Sequence, residues 1–408
     1  MTIPCRICGS SIQPFMTFGK MPIANGFLTS NDFGQEYWFE LAPAICDACH
    51  MFQLVEQPSP DQMFHSNYAF YSSTSSYMQQ HFARFAHSVM DGVLAGRRDP
   101  LIVELGSNDG IMLRHFKNKG LRHLGIEPSA NVAQVAREQG INTVNEFFDR
   151  RLAERIVGEH GYADVVLAAN VMCHIADLPS VADGIKCLLK PDGVLMFEDP
   201  YLGDMIDKTS YDQIYDEHVF IFSALSVSNA FQRHGLELID VLPQVTHGGS
   251  MRYVLSPVGA RPVSASVELV LAKECVQGLS SVDAFMRFKR NCESQRTKLI
   301  SLLERLRTEK KMTVGYGATS KSTTVLNYCG INSSHIAYIS DTTPIKHGKF
   351  TPGTHIPILP HEEFKRNYPD YAVLFAWNHS AEIRGKEEAF VAAGGKWIQF
   401  VPMVQVLP

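Results

Sequence analysis

Val103-Glu104-Leu105-Gly106-Ser107-Asn108-Asp109-Gly110, preceded by the apolar Leu101 and Ile102, is the stretch that decides the fold. It reads as a buried parallel strand breaking into a glycine loop, with a helix expected over Ile111–Phe116. Glycines at 106 and 110 let the backbone turn sharply and let a ligand approach the main chain. A second apolar segment, Leu124-Gly125-Ile126, ends in Glu127, 23 residues after Glu104. An acidic side chain at the tip of the second strand of a doubly wound sheet can accept hydrogen bonds from a ribose diol. Strand-like runs recur at His123–Ile126, Asn142–Val144, Asp164–Ala168 and Gly193–Phe197. Helical patterns lie between them at Ala130–Gln139 and Leu178–Leu189, the latter closed by Pro191-Asp192-Gly193. Such alternation predicts an α/β fold with a parallel sheet and a ligand at its C-terminal strand ends. Glu104-x-Gly106-x-x-x-Gly110 is not the Gly-x-Gly-x-x-Gly of a pyrophosphate loop. It favours a nucleoside with a small charged tail, S-adenosylmethionine, over NAD. The cofactor-binding residues expected are Glu104, Gly106, Asn108, Gly110, Glu127, Phe147 and Asn170. Asn170-Val171-Met172-Cys173-His174, at the end of the fourth strand, falls where the reacting methyl should lie.

The 408 residues imply two or three domains, divided here as 1–70, 71–258 and 259–408. A hydrophobic content of 45% and a charged content of 19% suit a soluble globular protein. A net charge of −5 without a basic patch gives no electrostatic case for nucleic acid. No apolar window approaches the roughly 18 residues of a membrane span, and the N-terminus is not a signal peptide. A cytoplasmic protein is expected, and nothing in the sequence demands an oligomer, so a monomer is too.

Four of the nine cysteines form two Cys-x-x-Cys knuckles, Cys5/Cys8 and Cys46/Cys49. Four thiolates fill a tetrahedral zinc shell and leave no open position, which is the pattern of a structural metal. The loop between them, with Pro22, Ala24, Asn25 and Phe27, is too poor in apolar residues to fold well without the ion. The other five cysteines are isolated among apolar or helical residues and read as small buried hydrophobes.

Residues 60–85 are rich in aromatics and hydroxyls, among them Tyr68, which suits a domain interface as well as a ligand wall. Tyr215-Asp216-Glu217-His218 puts a phenol, two carboxylates and an imidazole within four residues, a set able to move a proton at neutral pH. Thr246-His247-Gly248-Gly249-Ser250-x-Arg252 suits either an anion site or a plain hairpin. Residues 259–310 read as long connecting helices. Then the α/β pattern restarts. Thr313-Val314-Gly315-Tyr316-Gly317-Ala318-Thr319-Ser320-Lys321 is a strand, a glycine turn and a helix start with a lysine, which suits an anion. Further strands are expected over Ile336–Ser340 and Tyr371–Trp377, the second followed by Asn378. The third region thus resembles a degenerate second α/β domain facing the first across a cleft. The substrate-binding residues expected are His247, Gly248, Ser250, Arg252, Tyr316, Lys321 and Asn378.

In this order the motifs resemble those of the S-adenosylmethionine-dependent C-methyltransferases of deoxysugar biosynthesis, which methylate C-3 of nucleotide-linked 4-keto sugars. The likeness runs over nearly the whole length, from the paired knuckles and the Tyr68-Ala69-Phe70-Tyr71-Ser72-Ser73 stretch to Asp341-x-x-Pro344-x-Lys346. Met172-Cys173 departs from it, standing where the family pattern has Leu-Ala. The resemblance implies a structural zinc domain, a central methyl-donor domain and a nucleotide sugar held against the C-terminal domain. It makes Tyr68, His174, Tyr215, Glu217 and His218 the active-site set. His218 is expected to be the base, Glu217 to orient it, and Tyr215 or Tyr68 to serve the enolate oxygen. A dTDP-sugar is the expected substrate, with a GDP-sugar also compatible. Two other readings stay open on the sequence: an NAD-dependent nucleotide-sugar oxidoreductase or epimerase, and a non-enzymatic zinc-containing metabolite-binding adaptor.

Overall fold

The computed structural model describes residues 3–59 and 76–408, so Tyr68 lies outside the described residues. Six short strands come first, in antiparallel pairs: β1 (Ile3–Pro4) with β2 (Ser11–Ile12), β3 (Lys20–Pro22) with β4 (Trp38–Glu40), and β5 (Pro43–Ile45) with β6 (Phe52–Leu54). Strands this short cannot close a core alone. Their apolar residues are buried by joining the main core, with Phe15 packed on Phe285 of a later helix at a ring separation of 5.3 Å.

The central sheet contains β7 (Leu101–Leu105), β8 (Arg122–Ile126), β9 (Thr143–Val144), β10 (Ala163–Ala169) and β11 (Leu189–Pro200), all parallel to their neighbours in this set. After β12 (Phe220–Ile221), strands β13 (Leu236–Gln244) and β14 (Ser250–Pro257) extend it antiparallel. The spatial order is β13-β14-β11-β10-β7-β8-β9. The chain switches direction across the sheet between β7 and β10, and a crevice opens at their C-terminal ends. Several expected boundaries move, the C-terminal strands at Ile339–Asp341 and Tyr371–Leu374 among them. The first helix runs Leu113–Lys117, and the helix Leu178–Leu188 hands over at Leu189 to a strand that includes Pro191–Gly193.

The strands begin where buried charge is neutralised. Asp164 on β10 binds Arg97 at 2.7 Å and Lys190 at 2.8 Å, and accepts the Leu101 N–H at 2.9 Å. Helices Ala265–Gln277 and Val282–Thr308 lead into the last domain. The longer one buries Phe285, Phe288, Cys292, Leu299, Leu303 and Leu306, the three-to-four spacing of a single face. The last sheet has β15 (Thr313–Tyr316), β16 (Ile339–Asp341), β17 (Ile358–Pro360), β18 (Tyr371–Leu374), β19 (Lys396–Gln399) and β20 (Gln405–Leu407). Its order is β17-β16-β15-β18-β19-β20, and only β20 is antiparallel. Among the described residues no helix is long and apolar enough to cross a membrane.

Candidate active site

A cleft of about 1730 Å³ runs between the ends of β7, β8 and β10, the zinc-domain loop and the C-terminal domain. Pockets for one small ligand are typically about 300–1,000 Å³, so this one has room for two. Three non-glycine residues in its wall hold left-handed backbone: Asn108 (φ 49°), Asn170 (φ 57°) and His247 (φ 54°). Strain of that kind persists where the surrounding structure fixes it, and it concentrates at ligand sites.

Gly106, Asn108 and Glu127 at the β7 and β8 ends, Phe147 after β9 and Asn170 after β10 line the cleft. Glu127 accepts the backbone N–H of Asn108 at 3.0 Å and of Ser129 at 2.8 Å, so its carboxylate is fixed at the strand tip. Burial raises its pKa while those two N–H groups lower it. Phe147 is 54% exposed, an apolar ring left open on the wall. Glu104 and Gly110 are corrected: neither lines the cleft. Glu104 is 2% exposed beneath the loop, and burial, with Glu127 and Asp109 close by, pushes its carboxyl well above the usual range. The two loop glycines also serve packing. A Cβ at Gly106 would overlap Val171, and one at Gly110 would overlap Ile141.

Across from this wall, His174, Tyr215, Glu217 and His218 come together. The His218 and His174 rings stack with centroids 5.3 Å apart. His218 Nδ1 lies 2.7 Å from the Gln213 carbonyl, and Nε2 lies 2.8 Å from the Tyr215 hydroxyl. A carbonyl only accepts, so Nδ1 carries the proton and Nε2 presents its lone pair. Burial, with His174 next, holds the His218 pKa well below its ordinary value; burial alone takes His174 down to about 4. Both imidazoles are therefore neutral at pH 7. Glu217 does not orient His218, contrary to expectation. Its Oε1 accepts from Asn25 Nδ2 at 2.6 Å, and the Gln213 carbonyl holds the imidazole.

The substrate-binding expectations divide. His247, Lys321 and Asn378 line the cleft, with Lys321 Nζ donating to the His247 carbonyl at 3.0 Å. Gly248, Ser250, Arg252 and Tyr316 do not line it and are corrected. Thr246–Gly248 is the tip of the β13–β14 hairpin. A Cβ at Gly248 would overlap Trp377, and Ser250 Oγ is used on the Thr246 carbonyl. Arg252 turns into the core, where it grips Glu198 at 2.8 Å and lies over Phe85. Tyr316 points away and donates to Glu387 at 3.0 Å. Arg252→Met leaves the buried Glu198 with His81 at 2.8 Å and the Thr246 hydroxyl at 2.9 Å but removes its guanidinium partner, and should cost about 3 kcal/mol of stability, seen in urea unfolding, with the KM of the folded enzyme for the acceptor unchanged.

Sequence reasoning missed Asn25, Phe27, Lys346 and Lys349 as cleft residues. Lys346 was visible only as part of a motif. Its Nζ donates to the Ala318 carbonyl at 2.7 Å and lies over Phe27 at 4.9 Å. Nothing local marks Asn25, whose partners lie 192 and 295 residues away.

The four knuckle sulfurs converge away from the cleft. Cys5 Sγ lies 3.6 Å from Cys49 Sγ, Cys8 Sγ lies 3.4 Å from Cys46 Sγ, and all four fall within 4.8 Å of one another. A tetrahedron with Zn–S of about 2.3 Å has sulfur–sulfur edges of about 3.8 Å, so the set fits a structural zinc. Gln53 Nε2 and the Ile7 N–H donate to Cys5 Sγ, as donors around a zinc thiolate do.

Family models match the chain in three consecutive parts: a zinc binding domain over 5–64, a methyltransferase domain over 76–241, and a C-methyltransferase C-terminal domain over 245–402. The chain is 33% identical over 406 residues to C-methyltransferase NovU of Streptomyces niveus, covering 99% of this chain and 96% of that one. It is 31% identical over 109 residues, 24% of this chain and 44% of the relative, to the ubiquinone biosynthesis O-methyltransferase of Pasteurella multocida (strain Pm70). Among solved structures, magnesium protoporphyrin IX methyltransferase of Synechocystis PCC 6803 with bound SAM is 12% identical. It covers 44% of this chain and 80% of that one, with a TM-score of 0.33.

Proposed function

The chain belongs to the S-adenosylmethionine-dependent C-methyltransferases with an N-terminal zinc domain, and from that we propose that it methylates C-3 of a nucleotide-diphosphate-linked 4-keto-deoxysugar. The observation that carries this reading is the state of His218. A neutral imidazole, with Nδ1–H tied to the Gln213 carbonyl, presents Nε2 to a cleft large enough for donor and acceptor together.

Carbon is a nucleophile only after a C–H bond has been made acidic, and a ketone at C-4 does that for the hydrogen on C-3. His218 Nε2 takes that proton, and the C–H electron pair moves into the enolate. The Tyr215 hydroxyl, now beside Nε2, turns to donate to the enolate oxygen. Bound S-adenosylmethionine supplies the electrophilic methyl. Glu127, Asn170 and Phe147 are the groups that would hold its ribose, its amino acid part and its adenine. Lys321, Lys346 and Lys349 give the opposite wall positive charge suited to a diphosphate.

Two readouts test this. Incubation with S-adenosylmethionine and a dTDP-4-keto-deoxysugar should give a product heavier by one methyl, located on carbon by NMR. Without the methyl donor in D2O, the C-3 hydrogen should exchange. Methyl on oxygen or nitrogen, or exchange elsewhere, would overturn the assignment. A parallel GDP-sugar arm decides the nucleotide, for which dTDP is the reading preferred here.

A further inference from the structure

The loop between the zinc knuckles reaches the catalytic segment. The Ala24 N–H donates to Asp216 Oδ1 at 2.9 Å, and Asn25 Nδ2 donates to Glu217 Oε1 at 2.6 Å. The loop is pinned from the other side by the helix Ser320–Cys329. Ser320 Oγ donates to Asn25 Oδ1 at 2.9 Å, and Thr323 Oγ1 donates to the Ala24 carbonyl at 2.9 Å. Just beyond His218, the Leu54 N–H bonds to the Val219 carbonyl at 2.8 Å, and β12 pairs with β6 of the zinc domain. The zinc domain thus holds the Asp216 and Glu217 side chains within the segment and the backbone just beyond it, and Asn25 touches the central and C-terminal domains at once.

We infer that Asn25 is a positioning residue for methyl transfer: its amide, aimed by Ser320, fixes the Glu217 carboxyl in place beside His218. The site is then complete only when all three domains are docked. The inference rests on reading Tyr215–His218 as the active site.

Hydrogen-bond chemistry supports the direction. The amide presents Nδ2 to Glu217 Oε1, and its Oδ1 accepts from the Ser320 hydroxyl. A 2.6 Å N–H···O contact to a carboxylate is at the short, charge-assisted end of the range. Burial raises the Glu217 pKa to about 7, and the Asn25 amide opposes that rise, so losing the amide should push it further up. The other groups facing this carboxyl leave it little help. Asp216 is a buried acid whose own pKa is raised by burial and by Glu217. Cys173, from the turn after β10, is a thiol raised by burial, and His174 and His218 are held neutral by theirs. Lys321, from the C-terminal helix, has a pKa lowered by burial, with the buried Asp212 opposing that fall.

Asn25→Ala should lower kcat at pH 7 about tenfold and move the acid limb of the kcat profile up by about one pH unit, with S-adenosylmethionine affinity unchanged. Ser320→Ala should move the limb in the same direction by less. A lower kcat with an unmoved limb would mean that Asn25 merely packs, and would overturn the proposal. Should Asn25→Ala fail to retain zinc, Asn25→Ser and Ser320→Ala carry the same pH test. Glu217→Gln is the control for the underlying reading: full turnover there removes Glu217 from the site whatever Asn25 does, whereas a dead Glu217→Gln with an unshifted Asn25→Ala defeats only the inference.

Discussion

His218→Asn is expected to lower kcat by about 10²- to 10⁴-fold, the range for loss of a positioned general base, while calorimetry finds S-adenosylmethionine affinity within about twofold of wild type. Asparagine keeps a donor for the Gln213 carbonyl and much of the volume, so the wall survives, but it cannot take a proton. Retained turnover, or C-3 hydrogen exchange that survives in the variant, would move the base elsewhere, with the Tyr215 hydroxyl 2.8 Å away as the next candidate.

Burial also gives His218 a signature in stability. Its folded pKa is depressed, so it contributes fully above the unfolded value near 6.5, and that contribution is lost as pH falls. Below about 6.5 the unfolded chain takes up a proton that the folded protein refuses. An Asn at 218 carries no such linkage, so the Tm gap between wild type and variant should shift toward the variant between pH 7 and pH 5. A pH-independent gap would mean that the imidazole is not held neutral in the folded protein.

Cys46→Ser should have the other large effect: loss of bound zinc, melting of the zinc domain and loss of turnover together. Structural zinc in small domains is worth an apparent free energy of about 10–16 kcal/mol at pH 7, more than most whole domains have in reserve. No knuckle cysteine lines the cleft, so a metal serving only its own domain would leave catalysis intact. The structure predicts otherwise, because the loop carrying Ala24 and Asn25 and the strand pair β6–β12 reach the catalytic segment. Metal analysis, circular dichroism and turnover on the same sample check this. A zinc-free variant with full turnover would refute the coupling.

The zinc ligands, the central α/β sheet, the acid at the tip of β8 and the cluster Tyr215–His218 were legible because each is written locally. Two knuckles announce a tetrahedral shell by spacing, buried strands announce themselves as apolar runs, and alternation with helices makes those strands parallel, whereas their order and the antiparallel β13 and β14 were not legible. The cluster Tyr215–His218 could be read as proton chemistry from composition alone, although its internal wiring could not. Sequence gave Glu217 to His218 as its neighbour, and the fold gave Glu217 to Asn25 instead.

Where a residue type suits two environments, the chain by itself had no means to choose. Arg252 fits a phosphate as well as it fits Glu198, and only the antiparallel pairing of β11 with β14 brings that carboxylate opposite it. Tyr316 ends a strand at a glycine turn, but its hydroxyl is taken by Glu387 from a helical turn 71 residues on. The sequence therefore determined the elements, the metal and the kind of chemistry, all set by short-range spacing and periodicity. Tertiary structure decided which polar groups face the cleft and which satisfy one another behind it, because a buried charge takes whichever partner packing delivers, however far away in the chain.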